Sequence, residues 1–207
     1  NEKYAYNNMN FSANWRTVFA EKLTGNFSFG YDHYDYRNDE TVEEASAARL
    51  SFAINQWFGK ADFLYQAGNS HAVNFGLMSQ LYNVNSGTYE PVGPNSLVRY
   101  DELQKDKALE SAVYIGDEWD ITSRLSINAG IRYSMLNALG PRTYYTYQEG
   151  ILPSMSSVAD SITAGNGKVI KTYHGPEFRV SARYAFTDDF SVKAGFNTIC
   201  LLYTSDA

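Results

Sequence analysis

Three histidines, His33, His71 and His174, are the side chains best suited to metal binding or proton transfer at neutral pH. They are far apart in sequence, and no His-Glu-x-x-His spacing supports a zinc hydrolase. No Gly-x-Ser-x-Gly elbow or Cys–His pairing offers a nucleophile. The single cysteine, Cys200, excludes a disulfide framework or cysteine metal site within the chain. Each histidine is expected to be an ordinary rim or lining residue. The acidic run Asp39, Glu40, Glu43 and Glu44 could give calcium its oxygen ligands, but the Asp-x-Asp-x-Asp-Gly pattern is missing. A solvated loop is the simpler expectation. Asp117, Glu118 and Asp120 flank Trp119, where a catalytic carboxylate pair is conceivable and a charged rim beside an aromatic girdle is simpler. Gly165-Asn166-Gly167-Lys168 is a turn, not a phosphate loop, because the upstream glycine spacing and a following helix are absent. No catalytic, cofactor or metal residue is assigned, and the expectation is a protein that is not an enzyme.

The elements that must carry these residues read as strands. Tyr 17, Phe 12 and Trp 3 make 15% of the 207 residues aromatic. Such residues favour strands and membrane–water interfaces. The mean hydropathy is -0.39. No apolar run approaches the ~18 residues of a spanning helix. A membrane barrel passes unseen by that test, because only alternate residues meet lipid. The net charge of -6 leaves no basic stripe for nucleic acid.

Alternation is clearest where Leu125, Ile127, Ala129, Ile131 and Tyr133 interleave with Ser126, Asn128, Gly130, Arg132 and Ser134. Phe178 to Phe186 and Phe190 to Phe196 repeat it. Weaker strands follow Phe11 to Phe19, Phe27 to Tyr31, Trp57 to Tyr65 and Val73 to Leu81. Around Val113 and Ile115 the phase is ambiguous, since Tyr114 and Trp119 fall on opposite faces. The fold expected is all-β: about eight meandering strands of an antiparallel, up-and-down transmembrane β-barrel. Short connections near 21–22, 68–70, 121–124 and 187–189 alternate with long ones at 38–47, 85–107 and 137–173, as in outer-membrane barrels. The Asn166-Gly167 step is expected to form a hairpin at the tip of the longest loop.

Phe27, Phe29, Phe75, Ile127, Ile131, Tyr133, Val180, Tyr184, Val192 and Phe196 are expected to face lipid. Lys60, Asp62, Arg132, Arg179, Arg183 and Lys193 are expected to face the lumen. An Arg or Lys facing lipid at mid-depth would cost ~2–4 kcal/mol. Trp15, Phe19, Trp119 and Tyr133 are placed for an interfacial girdle.

Two hairpins carry a family resemblance. Gly116-Asp117-Glu118-Trp119-Asp120-Ile121-Thr122, running on through Leu125 to Tyr133, resembles a strand–turn–strand of TonB-dependent outer-membrane receptors. Gly175-Pro176-Glu177-Phe178-Arg179-Val180-Ser181, continuing to Asn197, resembles their later hairpin, with an EPR-like start, a TDD turn and a KAG strand. Here Phe178 separates Glu177 from Arg179. The resemblance covers roughly residues 45–197 in organisation. It implies a barrel of about 22 strands around a plug, of which this chain supplies part. Residues 1–198 would be partial barrel, and 199–207 a non-native or truncated tail, since Cys200 to Ala207 resembles translated sequencing-adapter read-through.

The resemblance also implies a function. The parent protein would sit in a Gram-negative outer membrane and take up a scarce ligand, such as a metal chelate, a vitamin or a glycan, with TonB-relayed energy. Its partners would be membrane lipid, its own plug, TonB and that ligand, with no cofactor. Tyr89, Tyr144, Tyr145 and Tyr147, in the long loops, would suit stacking on the ligand. The alternative is a complete eight-stranded barrel with a structural or adhesive role. A barrel enzyme would need a Ser/His/Asp cluster on neighbouring strands.

Overall fold

The computed structural model describes residues 2–200 except Glu149, Ile151 and Pro153. Eight long strands carry the architecture: β1 (Glu2–Ala20), β2 (Leu23–Glu40), β3 (Ala48–Gln66), β4 (His71–Pro91), β6 (Asp106–Asp120), β7 (Leu125–Leu139), β10 (Val169–Ala185) and β11 (Ser191–Asn197). They form one sheet in the order β1-β2-β3-β4-β6-β7-β10-β11, every pair antiparallel. A two-residue strand, β5 (Asp101–Glu102), pairs with β4. A separate hairpin, β8 (Arg142–Tyr147) with β9 (Val158–Ala164), lies in the connection from β7 to β10. The sheet is an open arc: β1 and β11 end its order and do not pair with each other.

The meander follows from the alternation, because one register joins every apolar face to the next. Phe27 pairs with Trp15 on one side and Ala61 on the other. The row continues through Leu77, Val113 and Tyr133. The neighbouring row on the reverse face runs Ser28, Lys60, Met78, Ala112 and Ser134. A slip of one residue would exchange the faces of a whole strand. The phase of β6 is thereby fixed: Val113, Ile115 and Trp119 join the apolar face, and Tyr114 joins the polar one.

Among the described residues no core lies against the apolar face. Among the described residues the buried apolar side chains are Ala47, Ala48, Ala112, Leu139 and Ala164. Ile131 is 42% exposed, Val180 48% and Val192 49%. A two-sheet sandwich would bury them. An uncovered apolar face of this extent needs a nonaqueous neighbour.

The strands run longer than a bilayer needs. On the apolar face, greasy residues occupy 23–31 of β2, 57–65 of β3, 73–81 of β4 and 125–133 of β7. Each stretch of about nine residues reaches about 30 Å, or about 23 Å of depth at a tilt of about 40°. Past it the same face turns polar, at His33 and Asp35 on β2, Asn55 on β3, and Asn83 and Asn85 on β4. The pairing nevertheless continues to Glu40, Ala48 and Pro91. The long connections are therefore shorter than the sequence implies, because their flanks are strand. All of these extensions lie at the rim of the long connections. The short turns, at 21–22, 67–70, 121–124 and 186–190, share the other rim.

The Asn166-Gly167 turn is not at a tip. Gly140 donates to the Lys168 carbonyl at 2.9 Å and Gly167 donates to the Gly140 carbonyl at 2.8 Å, so the turn closes the base of the β8–β9 hairpin. Gly167 sits at φ 73, where a residue without Cβ is unstrained. The tip is instead the stretch between β8 and β9, which includes a 3₁₀ turn at Met155–Ser157. Of the tail expected at 199–207, residues 201–207 lie outside the described residues.

Candidate functional site

The β8–β9 hairpin folds over the polar face beyond the greasy belt and encloses a pocket. Its floor is Tyr82 and Val84 of β4, Ala108 of β6, Leu136 and Ala138 of β7, and Tyr173 of β10. Tyr144 and Tyr145 of the hairpin close it, with Asp106, Lys107, Arg142 and Lys171 also in its wall. The register explains the floor, since Leu136 pairs with Glu110 and Tyr173 with Leu136 on that face. The hairpin is tied down at its first residues. Arg142 Nη1 meets Asp106 Oδ1 at 3.1 Å, and the Thr143 amide donates to Gln104 Oε1 at 2.9 Å. At the base, Lys107 Nζ donates to Asn166 Oδ1 at 3.3 Å.

Below the pocket a polar network crosses the same face. Tyr82 donates from its hydroxyl to Glu110 Oε2 at 3.2 Å, and Arg132 lies 3.8 Å from Glu110. Arg132 Nε donates to Ser134 Oγ at 3.0 Å, and that hydroxyl donates to Glu177 Oε1 at 3.0 Å. Glu177 also meets Arg179 at 3.7 Å. Ser134 and Glu177 are 2% and 8% exposed, so this carboxylate is held by its neighbours rather than by water. On β3, Lys60 pairs with Asp62 at 2.9 Å, and the Tyr114 hydroxyl donates to Asp62.

All six charges expected on the lumen side, Lys60, Asp62, Arg132, Arg179, Arg183 and Lys193, fall on this one polar face by register. The ten residues expected to meet lipid fall together on the other. Of the four loop tyrosines, Tyr144 and Tyr145 line the pocket. Tyr147 ends β8 outside its lining, and Tyr89 pairs with Asp101 at the β4–β5 contact. Tyr82, Tyr173, Arg142 and Lys171 escaped the sequence reading. The available signal was bulky or charged residues at the outer ends of strands, on positions that alternation assigns to the polar face.

The histidines take rim positions. His33, His71 and His174 all fall on the apolar face, on β2, β4 and β10, at or beyond the ends of the greasy belt. His33 contacts Asn55 at 2.7 Å and Asp35 at 3.0 Å, and His174 contacts the Tyr133 hydroxyl. His71 bonds Asp117 at 2.7 Å and stacks on Trp119 with centroids 5.3 Å apart. Asp117 thus belongs to the apolar face, whereas Glu118 and Asp120 fall on the polar one, so alternation separates Asp117 from the other two carboxylates. Around Trp15, rings pack in series: Phe27 at 5.4 Å, then Phe63 at 5.7 Å, then Phe75 at 5.2 Å.

In the acidic run, Asp39 receives Arg49 through two bonds of 2.6 and 2.9 Å, and Glu44 receives the Asn95 amide at 2.8 Å. The Arg49 guanidinium holds the Asp39 carboxyl below the usual carboxylate range. Among the described residues no group of three or more His, Cys, Asp or Glu side chains could hold a metal.

A two-faced meander with short turns on one rim and long connections on the other is a segment of transmembrane barrel wall. A family model described as "TonB dependent receptor-like, beta-barrel" matches residues 1–200, and the chain belongs to that family. No curated protein matches. Among solved structures, "Copper transporter OprC" superposes with a TM-score of 0.67 at 10% identity, over 93% of this chain and 31% of that one. The ferric-catecholate import receptor Fiu from E. coli K12, in its open form, gives 0.60 at 12% identity, over 94% of this chain and 35% of that one. The closed form of Fiu gives 0.58 at 12% identity, covering 94% and 33%. The chain therefore spans about a third of the length of the structures it matches.

Proposed function

We propose that this chain is part of the barrel wall of an outer-membrane active transporter, which takes up a scarce ligand (metal chelate, vitamin or glycan) with TonB-relayed energy. The observation that carries the proposal is the largely apolar face, about one bilayer deep and backed by a charged face, in a chain of this family. The ten apolar residues then touch lipid. The six charges line a wet interior, where Arg132, Glu110 and Arg179 present bonded but hydrated groups to a plug and the buried Glu177 braces Ser134 and Arg179 behind them. The long-connection rim faces outside the cell. The pocket under the β8–β9 hairpin is the ligand contact, with Tyr144 and Tyr145 in its wall. Tyr89 and Tyr147 are secondary contacts at the same rim. In this reading β1 and β11 pair with further strands of the same barrel, since open edges are not tolerated in lipid. The relatives named for copper and ferric catecholate fit a transporter without fixing the cargo.

The test is uptake by the full-length parent protein in cells with and without TonB, over labelled chelates, corrinoids and oligosaccharides. Uptake of at least one of these, lost without TonB, is expected. Passage of every probe at the same rate without TonB would overturn the reading and favour a passive or structural barrel.

A further inference from the structure

We infer that the outer end of the polar face carries a second ligand surface, a row of packed rings on β1, β2 and β3 that takes a neutral saccharide. The inference rests on the receptor reading above and adds a site and the chemical class of its ligand.

Beyond the greasy belt the two faces exchange character. The apolar face turns polar at His33, Asp35 and Asn55. The reverse face, polar at bilayer depth, turns aromatic. Tyr4 and Tyr6 of β1, Tyr34 and Tyr36 of β2, and Phe52 of β3 all fall on it by register. The rings meet in series across the three strands. Centroids are 6.4 Å apart for Tyr4 and Tyr36, 5.0 Å for Tyr36 and Phe52, and 5.9 Å for Tyr34 and Phe52. Their planes differ by 39°, 27° and 43°, so the row is a shallow slope and not a box. Leu50 and Tyr89, register partners, extend it onto β4. An interfacial girdle does not account for these rings, since they lie past the belt and on the face away from lipid. A packed core does not account for them either. Tyr4 and Tyr6 are exposed, and Tyr34, Tyr36 and Phe52 are half-buried.

The groups around the rings select the ligand. Glu2 and Glu40 stand directly opposite each other at the end of the row. Like charges so placed repel, and a donor between them relieves the repulsion. Asn38, set between Tyr4 and Leu50, has an amide oxygen that finds no donor among the described residues. Lys3, Arg37 and Arg49, the basic residues at these strand ends, all fall on the opposite face. An anionic chelate would therefore meet carboxylates here instead of cations. A bare cation is held best by rings that surround it, which a slope does not do. A saccharide matches both features. Its C–H groups lie on the electron-rich ring faces, and its hydroxyls donate to carboxylate and amide oxygens.

The test uses the full-length parent receptor in a detergent without a sugar headgroup. The probes are cellotriose, xylotriose, mannotriose and maltotriose, with tetramethylammonium and 2-naphthoate as charged comparators. Binding is followed by saturation-transfer NMR and titration calorimetry on wild type and on Tyr36→Ala, Phe52→Ala and Tyr36→Phe. Unchanged thermal unfolding certifies that each variant is folded, and Tyr6→Ala, at the exposed edge of the row, replaces any that is not. At least one trisaccharide is expected to bind saturably, with transfer strongest at its ring C–H groups. Each alanine variant should weaken it about tenfold, and Tyr36→Phe less than about threefold. Saccharide binding that survives the alanine variants would overturn the inference. So would a preference for either charged probe over every saccharide. Absence of saturable binding by all four sugars, as when another segment of the parent protein covers the rings, would overturn it too. TonB-dependent uptake of a chelate with no saccharide bound would sink this inference alone. Saccharide binding by a receptor whose uptake ignores TonB would sink only the transport reading.

Discussion

Leu77→Arg puts the two-faced wall to its most direct test. Leu77 is at the centre of the greasy stretch of β4, 53% exposed, with Ala61 and Val113 as its register partners. Neither neighbour can accept from a guanidinium. If this face meets hydrocarbon, an arginine here sits near mid-depth and costs about 2–4 kcal/mol. At 1.36 kcal/mol per factor of ten, the ratio of folded to unfolded barrel falls about 30- to 900-fold. The control is Gln80→Arg on the same strand. Gln80 lies on the opposite face, paired with Phe58 and Glu110, so the added charge finds water and a carboxylate. Its effect should stay within about 0.5 kcal/mol. Both variants belong in the full-length parent barrel, folded into lipid vesicles and titrated with urea under tryptophan fluorescence. The fraction that migrates as a heat-modifiable barrel gives a second readout. If Leu77→Arg is tolerated while Gln80→Arg destabilises, the faces are reversed and the lipid assignment falls with them.

Two further outcomes follow from the outer rim. Asp39, well beyond the greasy belt, has its carboxyl held below the ordinary range by Arg49. A depressed folded-state value means that the stabilisation is present above the unfolded value and lost as pH falls through the folded one. Amide exchange at the ends of β2 and β3 should therefore stay protected from pH 7 down to the ordinary carboxylate value of about 3.9, and loosen only below it. Loss of protection near pH 5 would show that the pair does not hold this rim. Orientation is tested with single cysteines in the parent receptor after Cys200→Ser. Asn95→Cys, in a long connection, should react with an impermeant maleimide on intact cells. Asn69→Cys, in a short turn, should react only after permeabilisation. The reverse pattern would place the pocket on the periplasmic side.

Much of the wall was legible in the sequence because a strand's side-chain period is a local property. Ile127, Ile131, Val180 and Val192 share a face whatever they pair with, and short turns force consecutive strands to be neighbours. The sequence by itself thus determined the eight-strand meander, the sorting of residues onto two faces, and the alternation of short and long rims. It could not tell where strands stop. Beyond the greasy belt, polar residues sit on both faces, as at His33 to Asn38, and backbone pairing continues without a hydrophobic pattern to announce it. It also read the Asn166-Gly167 step as a tip, because turn propensity marks a reversal and not its place in a longer excursion. Only the tertiary structure decided that His71 reaches Asp117 on the neighbouring strand, and that Tyr82, Tyr144, Arg142 and Lys171 share one pocket. Those contacts depend on register between distant strands and on a hairpin folding back over the sheet, and neither is encoded in any short window of sequence.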